Sequence, residues 1–135
     1  GGIAKFMQKI GTGYAMYFNQ KNQRTGVLFQ GKFKAILIDS DDYLLPLISY
    51  IHLNPVELIE PDWKERGIKD RKKANQFLEK YRWSSYKDYA GIKNFPSVID
   101  KEVIQSYFKN EKDFKSFTNQ RLNSDLESIE GVILE

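Results

Sequence analysis

Cysteine is absent from this 135-residue sequence, and histidine occurs once, as His52. The first absence excludes disulfides and thiolate metal sites and fits a reducing cytoplasm. No apolar run approaches the length of a membrane span, and no charged–apolar–small signal pattern opens the chain, so no membrane partner is expected. Repeats, low-complexity tracts and a glycine loop able to cradle phosphate are also missing. What remains is the composition of a globular protein of one ordinary domain, rich in aromatics at 14%.

The formal net charge of +3 hides a strong segregation. Residues 1–34 carry six basic groups and no acidic ones, and residues 35–63 carry six acidic groups and no basic ones. Ten basic and four acidic groups follow in residues 64–93, then five basic and eight acidic in residues 94–135. Two separated basic blocks that also bear aromatic residues suit a polyanionic partner better than the net charge suggests.

Ile3, Phe6, Met7, Ile10, Tyr14, Tyr17 and Phe18 recur at three- and four-residue steps, the pattern of an amphipathic helix. Tyr14 and Tyr17 can be read as core residues or as base-stacking residues. Lys21 to Gly31 is a turn-rich basic connector, and Phe33 to Asp39 reads as a strand from its branched and aliphatic residues. A lone strand leaves its backbone unsatisfied, so residues 33–38 call for another segment or a second copy of the chain, a homodimer. Further on, Val56 to Trp63 reads as an acidic loop and a charged helix is predicted from about Asp70, anchored by Phe77 and Leu78. Tyr81 to Tyr89 places Trp83, Tyr86 and Tyr89 at helical spacing, for packing or for stacking. Asp100 is expected to cap a short helix through Phe108, and a last helix runs from Lys112 to Leu122 on Phe114 and Phe117. The tail from Asn123 turns acidic and ends in Val132-Ile133-Leu134, a possible last strand or turn.

The stretch Asp42 to Pro55 organises the chain. It reads as one helix, opened by Ser40, Asp41 and Asp42 and stopped by Asn54-Pro55. At 100° per residue, Leu44, Leu47, Ile48 and Ile51 form an apolar arc expected to face the core. Tyr50 and Asn54 are four residues apart, so they share a face beside that arc, with Tyr43 on the same line. His52 projects toward the apolar side, as a packing histidine or a catalytic one. Asp41 and Asp42 point apart on a helix and suit the helix dipole better than a metal.

Three blocks in this order resemble the single-tyrosine transposases with a His-hydrophobic-His metal motif, and most closely the REP-associated branch. They are Leu28-Phe29-Gln30-Gly31-Lys32-Phe33-Lys34-Ala35, Tyr50-Ile51-His52-Leu53-Asn54-Pro55-Val56 and Trp83-Ser84-Ser85-Tyr86. The resemblance implies DNA strand cleavage and joining, with Tyr50 attacking a DNA phosphate to form a 5′-phosphotyrosine link. It implies that Asn54 completes the coordination of Mg²⁺ or Mn²⁺, and that single-stranded or hairpin DNA is the partner. Arg24, Lys32 and Lys34, beside Phe29 and Phe33, are the expected DNA-backbone contacts. The family's two metal-binding histidines have no counterpart here, because His52 lies roughly 160° round the helix from Asn54. The chain is therefore expected to be the C-terminal portion of such an enzyme, inactive alone and binding no metal itself.

The implied fold is α+β and mainly helical: a helix–strand–helix remnant of a ferredoxin-like nuclease core over residues 1–60. A basic insertion with the Trp-Ser-Ser-Tyr helix would fill residues 61–93, and a helical extension residues 94–135. The rival reading is a non-catalytic module for single-stranded or hairpin DNA; a helical protein-interaction domain is a third.

Overall fold

The computed structural model describes residues 1–122. The tail from Asn123, with the strand or turn expected at Val132-Ile133-Leu134, lies outside the described residues. Internal contacts divide the chain into two units, Gly1–Leu37 and Ile38–Glu135.

The first unit is one long helix, α1 (Gly2–Lys21), followed by an irregular segment. The helix runs uninterrupted through Gly11 and Gly13, each of which weakens a helix interior by roughly 1 kcal/mol. Asn19 Nδ2 donates to the Gly26 carbonyl at 2.9 Å and Tyr14 meets Phe29 at 6.0 Å, so the returning segment lies along α1. Gly26 makes that return at φ 97°, a conformation that a side chain would strain. No residue of α1 is buried within the unit, and Tyr14 and Tyr17 both stay exposed.

Residues 33–38 do not form the expected strand, and no strand occurs among the described residues. The fold they show is all-α, not α+β. The composition of Phe33 to Ile38 favours extended backbone, but a strand exists only through a ladder, and no second extended segment pairs with it. Leu37, 86% exposed, shows how little covers the segment. The homodimer expected through this strand loses the element on which it rested.

The second unit opens with α2 (Asp41–Leu53), whose end tightens into a 3₁₀ turn, Asn54–Leu58. Pro55 occupies the first turn of that 3₁₀ segment, where its missing N–H costs nothing, so the α-helix ends at Asn54-Pro55 as expected and the chain goes on as a 3₁₀ turn. Short helices α3 (Trp63–Arg66), α4 (Arg71–Lys80), α5 (Tyr86–Tyr89) and α6 (Glu102–Gln105) follow, then α7 (Glu111–Arg121). The helix expected from about Asp70 is α4, whereas the one expected from Asp100 through Phe108 is only the single turn Glu102–Gln105, with Lys101 as its N-cap. Asp70 accepts from the Lys73 N–H at 2.9 Å, and Asp100 accepts from the Glu102 N–H at 3.0 Å. Asn110 starts α7 by accepting from the Lys112 and Asp113 N–H groups. Gly91, at φ 83°, closes α5, and a Cβ there would lie 3.1 Å from Glu111 Cγ.

The core is built from Leu53, Val56, Trp63, Leu78, Tyr86, Phe108 and Phe114. Full burial of each such side chain contributes roughly 1.5–3 kcal/mol. The buried face of α2 is rotated from the expected arc: Ile48, Ser49, His52 and Leu53 face inward, whereas Ile51 is 53% exposed. α2 packs on α7, whose Phe114 meets the His52 ring edge-on at 5.3 Å. Ser49 is buried by spending its hydroxyl on its own helix, donating to Leu45 O at 3.4 Å. This pairing lets a polar residue take a place that an aliphatic was expected to hold.

Candidate functional site

On α2 and at its end, Tyr43, Tyr50 and Asn54 are each half-buried, and Tyr50 packs against the edge of the core. Tyr50 is covered by Lys64, the first residue after the buried Trp63 that pins α3. The Lys64 ammonium lies 5.1 Å from the Tyr50 ring centroid and 2.9 Å from Glu57 Oε2. Burial works to lower its pKa, but the hydrogen bond to Glu57 and the interaction with Tyr50 outweigh that, so it is raised above the ordinary value. A firmly held ammonium, paired with Glu57, thus stands beside the phenol. Neither Lys64 nor Glu57 emerged from the sequence. They are seven positions apart across a bend, and no periodic pattern joins them.

One turn beyond Tyr50, Asn54 Oδ1 is buried and has no hydrogen-bond partner. The same is true of Asn19, which borders a groove of the first unit, and of Asn75 and Asn119; Asn54 borders a groove of the second unit. The groove has a volume of about 640 Å³ and is walled by Ile51, Leu58, Tyr81 and Trp83, with Ser84 and Ser85 along it. Asn54 Oδ1 is a hard oxygen ligand of the kind Mg²⁺ or Mn²⁺ accepts. One amide oxygen is not a metal site, however, and no group of three or more His, Cys, Asp or Glu able to hold one occurs among the described residues. The residues here do not fit a complete metal centre.

His52 backs this groove from the core. Its Nδ1 lies 2.7 Å from the Ile48 carbonyl, which can only accept, so Nδ1 carries the proton. Nε2 is then the acceptor, and Ser85 Oγ–H donates to it at 2.8 Å. Burial pushes the imidazole below its ordinary pKa, the Ile48 carbonyl opposing, so the neutral form is the one that packs. His52 is thus a satisfied core histidine on the opposite side of α2 from Asn54.

Beyond the groove, Asp88 is buried on α5. Its carboxylate accepts from the Asn94 and Phe95 N–H groups at 3.0 and 3.1 Å, fixing the bend that carries Phe95. Phe95 stacks on Trp83 at 6.3 Å, and the Arg82 guanidinium lies 4.7 Å from the Trp83 ring. The Trp-Ser-Ser-Tyr block thus divides its aromatics: Tyr86 is core, while Trp83 stays 72% exposed.

Arg24, Lys32 and Lys34 all fall in the first unit and are exposed. Arg24 lies 5.7 Å over the Phe18 ring, and Lys32 borders the groove of about 750 Å³ between α1 and residues 26–33. Tyr50 and Asn54 belong to the second unit. No helix among the described residues is long and apolar enough to cross a membrane. Comparison with protein-family models, with curated proteins and with solved structures gave no match.

Proposed function

We propose that Tyr50 is the nucleophile of a DNA strand-cleaving and strand-joining reaction, within a protein that supplies metal ligands in addition to Asn54. One observation carries this reading: a phenol and a held ammonium share a half-buried surface, one turn before an orphaned amide oxygen. In the step proposed, Tyr50 Oη attacks the phosphorus and forms a phosphotyrosine bond to the 5′ end. The bond to the 3′ oxygen breaks, that oxygen takes up a proton to become a hydroxyl, and the phenolic proton passes to solvent. Lys64 offsets charge on the phosphate oxygens through the attack. Asn54 is proposed as one ligand of Mg²⁺ or Mn²⁺, with the rest of the set outside the described residues.

The test is denaturing electrophoresis of labelled hairpin DNA with a protein that joins this sequence to a His-hydrophobic-His strand. A covalent adduct is expected with the native sequence and with Tyr43→Phe, and none with Tyr50→Phe, while DNA binding stays within a few-fold. Lys64→Gln should slow adduct formation by about 100- to 1,000-fold, the usual loss for removing one group that offsets transition-state charge. The 135-residue chain alone should bind DNA and form no adduct. An adduct with Tyr50→Phe would remove Tyr50 from the chemistry.

A second reading, a non-catalytic module for single-stranded DNA, is favoured by the Arg82–Trp83–Phe95 stack. Exposed aromatic faces with an adjoining cation are how sequence-tolerant single-strand binders hold bases. Binding without an adduct from any protein carrying the sequence would select it.

A further inference from the structure

We infer that the groove between the end of α2 and Trp83 is a pocket for one unpaired nucleobase, which stacks on Trp83 and donates an edge N–H to Ser85 Oγ. The inference rests on single-stranded DNA as the partner, common to both readings above, and adds where a base goes and which edge it presents.

The polarity of Ser85 follows from the residue behind it. Ile48 O fixes the proton on His52 Nδ1, so Nε2 takes the Ser85 hydroxyl proton at 2.8 Å. With its hydrogen committed to the core, Ser85 Oγ offers the groove only lone pairs. A fixed acceptor in the groove wall suits a ligand edge bearing an N–H group. Trp83 supplies the plane, 72% exposed and held by Phe95, and Arg82 at 4.7 Å adds a cation for the adjoining phosphate. Adenine is the cleanest probe, because its exocyclic amino group is its edge donor and purine lacks only that group.

The experiment titrates the whole 135-residue chain with adenine, purine and abasic dodecamers, reading tryptophan fluorescence and oligonucleotide anisotropy. Of its two tryptophans, Trp63 is buried at 2% exposure, so base-dependent quenching reports Trp83. Adenine and purine should both quench and the abasic strand should not. Adenine should bind about 2- to 10-fold more tightly than purine, the worth of one hydrogen bond. Ser85→Ala should abolish that preference, and Trp83→Ala, which disturbs no core, should weaken both by roughly tenfold or more. Equal affinity for adenine and purine with the native chain, or binding without quenching, overturns the pocket and leaves DNA binding standing. No binding of any strand overturns both.

Discussion

His52 and Ser85 are separated by 33 positions in sequence, and their side chains meet at 2.8 Å. The bond ties the inner face of α2 to the start of α5, joining the block that carries Tyr50 to the block that carries Trp83. It also makes the unit sensitive to acid. The groups facing the imidazole are Ile48 O, Ser85, Phe114 and Tyr89, whose ring meets it edge-on at 5.5 Å. Tyr89 titrates, but burial and then the charges of Asp100 and Asp88 raise it, so it stays neutral in acid.

Because burial lowers the folded pKa of His52 below 6.5, the unfolded chain takes up the proton first. The stabilisation from neutral His52 is therefore complete above that value. It is lost as pH falls from there through the folded pKa. Thermal melts from about pH 7.5 to about pH 5.5 should show a falling midpoint. His52→Gln should melt lower at neutral pH and show a shallower fall. An equally steep fall in His52→Gln would assign the acid sensitivity elsewhere.

Ile51 and Leu53 make a direct test of how α2 is turned. Leu53 is fully buried, so Leu53→Ala should cost about 2–5 kcal/mol. Ile51→Ala removes an exposed side chain and should stay within about 0.5 kcal/mol. Urea denaturation midpoints measure both, and a large loss at Ile51 would restore the arc read from the sequence.

That comparison shows what the sequence disclosed and what it withheld. Element positions were legible in part: α4 starts just after Asp70 and α7 carries Phe114 as expected, but the helices expected at Trp-Ser-Ser-Tyr and from Asp100 through Phe108 are single turns, Tyr86–Tyr89 and Glu102–Gln105. The shared face of Tyr50 and Asn54 was legible too, because helical spacing alone sets it. The rotation of α2 was not: hydrophobicity cannot foresee that Ser49 and His52 would satisfy their polar atoms inside the helix and its neighbour and so displace Ile51. The strand at 33–38 failed for a related reason. Its residues favour extended backbone, but a ladder depends on a partner that local composition does not reveal. Lys64 was hidden because its role depends on the bend between the 3₁₀ turn and α3.

The basic groups of the first unit predict a salt effect. Replacing Arg24, Lys32 and Lys34 together with Ala should lower the slope of log affinity against log salt by about 2 for single-stranded DNA. Anisotropy titrations at several salt concentrations measure it. An unchanged slope would remove these three residues from the DNA surface.

The most direct test of the central claim is to find the bond itself. A protein joining this sequence to a His-hydrophobic-His strand is incubated with hairpin DNA and Mg²⁺ or Mn²⁺, digested with nuclease and trypsin, and its peptides sequenced by mass spectrometry. The expected result is one nucleotide-bearing peptide, with the 5′-phosphate on Tyr50. A nucleotide carried by Tyr43, by Ser85 or by any residue other than Tyr50 would contradict the account.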